Sequence, residues 1–141
     1  MKYELCFNLA MRKSARQITR LYEARLAETG LKVGQFSLLR AIYLMKETTN
    51  KELQDILALD QTTLSRNLKP LIRDGFLTLK TDLNDQRIKR LSLSKQGNAL
   101  YKQALPLWRS AQKEVHDRLG DIDTANILSL SNAFKNTLSS I

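Results

Sequence analysis

The side chains able to do chemistry in this chain are few for catalysis and clustered for binding a polyanion. There is one histidine, His116, and one cysteine, Cys6. No Cys, His, Asp or Glu set has metal-ligand spacing, and nothing resembles a nucleophile elbow, a phosphate loop or a dinucleotide fingerprint. No enzymatic activity, cofactor or metal is therefore expected. By contrast, DQTTLSRNLKPLIRDGF, Asp60 to Phe76, reads as a short helix with Leu64, Leu68, Leu71 and Ile72 on one side. Thr62, Arg66, Lys69 and Arg73 fall on the other side, with Gln61, Thr63 and Ser65 around the first turn. A guanidinium at Arg66 can bond a guanine edge or a phosphate, Lys69 and Arg73 can hold the phosphate backbone, and the hydroxyls can sit on phosphates or thymine methyls. A second cluster, DLNDQRIKR, ends the basic segment. An arginine at a loop tip, Arg87, can enter a narrow minor groove where negative potential is focused, braced by Asp85 two residues away, with Lys89 and Arg90 nearer the phosphates.

A thiol offers different chemistry. A single cysteine excludes an intramolecular disulfide, and Cys6 can serve as an apolar side chain packed in a helix. Oxidation proceeds through the thiolate, which nearby donors or cations favour, and Arg12 and Lys13 lie one to two helical turns along the chain.

The elements that must position these groups follow from periodicity and caps. Met11, Ala15, Ile18, Tyr22 and Leu26 recur at helical spacing, which predicts one amphipathic helix over residues 4–28 closed near Gly30. Residues 34–46 form a second helix with a broad apolar face. Thr49 with Glu52 three positions on is a capping-box pattern that opens a third, whose Leu53, Ile56 and Leu57 make a short buried face. Asp60 caps the fourth helix and Gly75 ends it, while Pro70 forfeits a hydrogen bond inside it. The alternating runs FLTLK and IKRLSLS flank a polar segment and read as a hairpin. Ser94 then caps a long helix kinked at Pro106, and a last helix from about Asp123 carries Ile127, Leu130, Phe134, Leu138 and Ile141 on one face. The apolar stripes of these terminal helices read as core and dimer interface.

Composition bounds the class. The 141 residues suit one domain, and no apolar run approaches a membrane span or a signal sequence, so a cytoplasmic location is the expectation. Of the net charge of +9, residues 61–96 supply eight Lys/Arg against three Asp/Glu. Such a localised basic segment attracts nucleic acid, an acidic membrane surface or nothing beyond solvent. The fold class expected is mainly α with a small β-hairpin wing, a winged helix-turn-helix flanked by long helices.

The run LIRDGFLTLKTDLNDQRIKRLSLSKQG is similar to the MarR family of transcriptional regulators, through Asp85-Gln86-Arg87 as the wing signature and Leu93-Ser94-Lys95-Gln96-Gly97 as the opening of the next helix. The resemblance implies a homodimer on a palindromic double-stranded DNA site. It places a helical dimerisation region at 1–30 and 98–141, and a DNA-binding lobe at 31–97. The stretch YELCFNLAMRKSARQITRLY also resembles the organic-hydroperoxide-sensing branch, which implies a redox role for Cys6, although the positions of that branch's thiolate-holding tyrosines are Ala10 and Val33 here. A small aromatic acid is the rival signal, with Arg16, Tyr22, Phe36, Arg40 and Tyr43 as candidate pocket residues. A winged-helix adaptor binding protein or RNA is the alternative function.

Overall fold

The computed structural model describes residues 4–138; Ile141, assigned from sequence to the last apolar face, lies outside them. Helix α1 (Phe7–Leu26) runs into a 3₁₀ turn (Ala27–Thr29) that closes with Gly30 in the left-handed region, φ 74°. Helix α2 (Val33–Met45) follows, its N-terminus held by the Lys32 N–H donating to Gln35 Oε1 at 3.0 Å. Phe36, Leu38, Leu39 and Ile42 are all fully buried, so α2 is the central helix. Strand β1 (Thr48–Thr49) leads directly into α3 (Asn50–Leu57), and α4 (Gln61–Arg73) comes next. Strands β2 (Leu77–Thr81) and β3 (Lys89–Leu93) precede α5 (Lys95–Leu138).

The hairpin expected from sequence is part of a three-stranded antiparallel sheet of order β1-β3-β2. Thr48 and Thr49 pair with Leu91 and Arg90 on β3, while Leu79 on β2 pairs with Leu91 from the other side. Two residues are too short a run to show alternation, and that is why β1 escapes a periodicity reading. The capping box at α3 also takes a different form. Thr49 Oγ1 accepts the Glu52 N–H at 3.3 Å, but the Glu52 carboxylate accepts from the buried Thr48 hydroxyl at 3.0 Å instead of returning to the cap backbone. Ile56, read as buried, is exposed.

The long C-terminal segment breaks at Gly120, not at Pro106. Gly120 has φ 86° and ψ 174°, dividing α5 into arms 95–119 and 121–138, whereas the backbone stays helical through Pro106. Proline's fixed φ is itself helical, so its cost is a missing hydrogen bond; glycine alone enters the extended positive-φ region without strain. The second arm therefore starts at Asp121, two residues earlier than the sequence suggested.

The start of the first arm is fastened to the end of α4. Ser94 Oγ donates to the Gly75 carbonyl at 2.6 Å and accepts the Gly97 N–H at 3.0 Å, while the Ser94 N–H donates to the Phe76 carbonyl at 3.0 Å. Gly97 is buried against Phe76, so close that a side chain there meets backbone. Spacing of Ser94 and Gly97 thus has a steric meaning as well as a capping one.

An aromatic column joins α2 to α5. Phe36 and Tyr43 are seven residues apart, as are Tyr101 and Trp108, so each pair lies on one helix face two turns apart. Phe36 stacks on Tyr101 and Trp108 with centroids 5.8 and 5.7 Å away, Tyr43 lies 4.4 Å from Tyr101, and the Arg40 guanidinium sits 4.9 Å over the Trp108 ring. Stacked pairs and a capping cation stabilise such a seam beyond its buried area.

Candidate nucleic-acid interface

Two elements carry the polar groups singled out by sequence. On α4, Leu64, Leu68 and Leu71 are buried against the core, each stabilising the fold by roughly 1.5–3 kcal/mol if fully removed from water. Their spacing of four and three residues turns Gln61, Thr62, Ser65, Arg66 and Lys69 outward, and all five are exposed. Thr63 is half-buried, and its N–H donates to Asp60 Oδ1 at 2.7 Å, the cap that sets the helix start. That hydrogen bond, with Arg66 as a smaller influence, holds the Asp60 carboxyl below its ordinary range. Ile72, grouped with the leucines in the sequence reading, is exposed at the rim. Helical structure continues through Pro70 to Arg73.

The basic groups of α4 differ in their engagement. Arg73 donates to Asp74 from Nε at 3.0 Å and from its terminal nitrogen at 3.4 Å, so its charge is shared locally. Arg66 and Lys69 make no ion pair among the described residues. Cations of this kind on an exposed helix face are suited to a polyanion.

Between β2 and β3 lies the loop that carries Arg87. Its side chain is 90 % exposed, and Asp85 holds it in a two-point grip, with Nε to Oδ1 and the terminal nitrogen to Oδ2 both at 3.1 Å. The Arg87 N–H also donates to Asp85 Oδ1 at 3.0 Å. Arg87 keeps the Asp85 carboxyl below its ordinary range, chiefly through the side-chain hydrogen bond. Lys89 donates to Thr81 Oγ1 across the hairpin at 2.9 Å. Arg90 Nε donates to Asp82 Oδ1 at 2.6 Å, an ion pair at the loop base that leaves the Arg90 side chain 40 % exposed. Asp82, which the sequence reading did not select, anchors the loop as well, its Oδ2 accepting the N–H groups of Asn84 and Asp85 at 3.1 and 3.0 Å. An aspartate two and three residues ahead of loop amides is the sequence signal that would have found it.

The five residues offered as a small-acid pocket do not converge on a cavity. Phe36 is 1 % exposed within the aromatic column, and Arg40 covers Trp108. Tyr43 packs on Tyr101, whereas Tyr22 bonds Gln112 at the α1–α5 contact, its phenol pKa raised by burial. Arg16 is exposed on α1. Tyr43 also borders a cavity of about 440 Å³ with Leu44, Leu93 and Asn98, and a larger groove of about 1580 Å³ is bordered by Met11, Ile18, Ile56, Ile127, Leu130 and Phe134. Cys6 is exposed and forms the N-cap of α1, its Sγ accepting the Leu9 N–H at 3.4 Å.

A recognition-type helix and a rigid basic hairpin on one small sheet define a winged helix-turn-helix protein. The MarR family profile matches residues 31–89. A transcriptional regulator of Mycobacterium tuberculosis, MosR, solved in complex with DNA, is 36% identical, covering 92% of this chain and 98% of its own with a TM-score of 0.77. The chain belongs to the MarR family. It is also 28% identical over 107 residues to the organic hydroperoxide resistance regulator of Bacillus subtilis, a match spanning 76% of this chain and 71% of that one. An uncharacterised HTH-type regulator of Staphylococcus aureus is 33% identical over 86 residues, 61% of this chain, and the match spans 59% of the length of that relative.

Proposed function

We propose that the chain is a cytoplasmic, homodimeric transcriptional repressor that binds a palindromic double-stranded DNA site and is released by oxidation. The observation that carries this is the pairing of two exposed cationic elements: the outward face of α4 with Arg66 and Lys69, and Arg87 gripped by Asp85 at the hairpin tip. Inserting α4 in a major groove sets its first-turn residues against base edges, and a prebraced Arg87 loses little side-chain freedom on entering the adjacent minor groove. The 36% identity to a regulator solved with DNA supports the same reading.

Dimerisation is supported by the apolar side chains left exposed around the groove, Ile127, Leu130, Phe134 and Leu138 on the second arm facing Met11 on α1. Patches of this sort on a soluble chain mark an interface. Release by oxidation is supported by the exposed Cys6 thiol at a helix N-terminus and by the similarity to a hydroperoxide-resistance regulator.

The test is a fluorescence-anisotropy titration onto the duplex upstream of the chain's own gene with excess random competitor. Tight binding that resists competitor is expected, with specific affinity ~10³–10⁷ above non-specific. If no duplex selected from a random library outcompetes unselected DNA, the sequence-reading function fails and an adaptor role takes its place.

A further inference from the structure

Leu83 is 100 % exposed on the loop that presents Arg87. Most other strongly exposed apolar side chains sit on helices and include the groove lining; Leu83 is not part of that lining and belongs to no helix face. Its position in the chain is nonetheless well held. Asp82 beside it, with a side chain only 11 % exposed, accepts from Asn84, Asp85 and Arg90, so the corner at residue 83 is pinned on both sides. Four residues on, Arg87 is pinned by Asp85. One rigid loop thus carries a fully hydrated leucine and an extended guanidinium.

We propose that Leu83 is an apolar DNA contact, packing on the sugar walls of the minor groove beside Arg87; this rests on the DNA-binding function above. Sugar edges give the minor groove apolar walls, and minor-groove binding proteins frequently add apolar side chains, leucine among them, to their polar contacts. Leaving a leucine fully hydrated in the free protein stores its burial for the complex. A leucine displaces no counterion, whereas a cation meeting phosphate does, so the two kinds of contact separate in their salt dependence.

The experiment compares wild type, Leu83→Ala and Leu83→Met on two labelled duplexes of equal length, one selected from a random library by the wild-type protein and one unselected, across a series of salt concentrations. Leu83→Ala is expected to bind roughly ten-fold more weakly at each salt concentration with an unchanged salt slope, and Leu83→Met to bind within about two-fold of wild type. Unchanged affinity for Leu83→Ala on both duplexes overturns the contact. A loss accompanied by a flatter salt slope also overturns it, since the leucine would then be acting through Arg87. Should wild type select no sequence, the regulator function fails separately, and the comparison on unselected DNA still decides the role of Leu83.

Discussion

Replacing Gly97 with alanine adds one methyl group and should be among the costliest single-methyl changes available in this chain. A Cβ built on Gly97 falls on the Phe76 carbonyl oxygen, with the carbonyl carbon at 3.0 Å and its Cα at 3.4 Å. The neighbour is backbone, so no rotamer change relieves the overlap, which amounts to roughly 1 Å. Either α5 lifts from the turn or Phe76 moves. Both routes disturb the bond from the Ser94 N–H to Phe76 and the pair made by Ser94 Oγ with Gly75 and Gly97. Overpacking costs about 1–3 kcal/mol, and the loss of any two of these three neutral hydrogen bonds adds about 1–3 kcal/mol. A loss of about 4 kcal/mol is the central expectation, equivalent to a fall in Tm of about 12 °C for a chain of this size. Thermal melting and urea titration of Gly97→Ala measure it. Gly75→Ala is the control: φ is 80° but nothing lies within 4 Å of its Cβ, so only conformational strain of about 1–2 kcal/mol applies. A Gly97→Ala loss below about 1 kcal/mol, or one no larger than the control, would refute the steric account of this junction.

Arg87→Ala should weaken DNA binding and reduce the salt slope by about one phosphate equivalent while changing Tm little, because the ion pair it makes with Asp85 is solvent-exposed; an unaltered titration removes the hairpin tip from the mechanism. Acid should destabilise the fold in a defined window. The carboxyls of Asp60, Asp82, Asp85 and Glu114 are all held below their ordinary values by hydrogen bonds to backbone or arginine. Their contribution is complete above the unfolded-state values of roughly 4 and disappears as pH falls through the lower folded-state values. Urea midpoints should therefore be flat from about pH 7 to 5 and drop below about 4, less steeply in Asp82→Asn. Cys6→Ser should abolish peroxide-induced release from DNA without changing affinity under reducing conditions; release equal to wild type excludes the thiol as the signal.

Elements opened by capping residues were readable from sequence, because a cap is a local rule. Asp60 bonding Thr63 and Thr49 bonding Glu52 start α4 and α3 where residue type alone placed them. Features depending on residues distant in sequence were not. Arg90 meets Asp82 only because the β2–β3 register pairs Lys80 with Arg90 and Thr81 with Lys89, bringing the following aspartate within reach. The stacking of Phe36 and Tyr43 on α5 was not legible because nothing local reveals that Tyr101 and Trp108 carry the same spacing on a partner helix. Nor did the turn between α3 and α4 announce its backbone: Ala58 adopts φ 52°, a region for which glycine or asparagine is the ordinary signal. The polar face of α4 and the Asp85–Arg87 grip were legible because each lies within a single turn or loop.

Trp108 is the only tryptophan in the chain, and it stands at the seam between α2 and α5, with Phe36 on its ring and Arg40 over it. The protein therefore contains one indole, which can be excited selectively over its tyrosines, placed where the lobe carrying α4 meets the long helix. A positive charge resting on an indole tunes its emission, so any rearrangement that slides α5 against α2 changes colour and yield from a single known site. Motion across this seam is observable in the unlabelled protein.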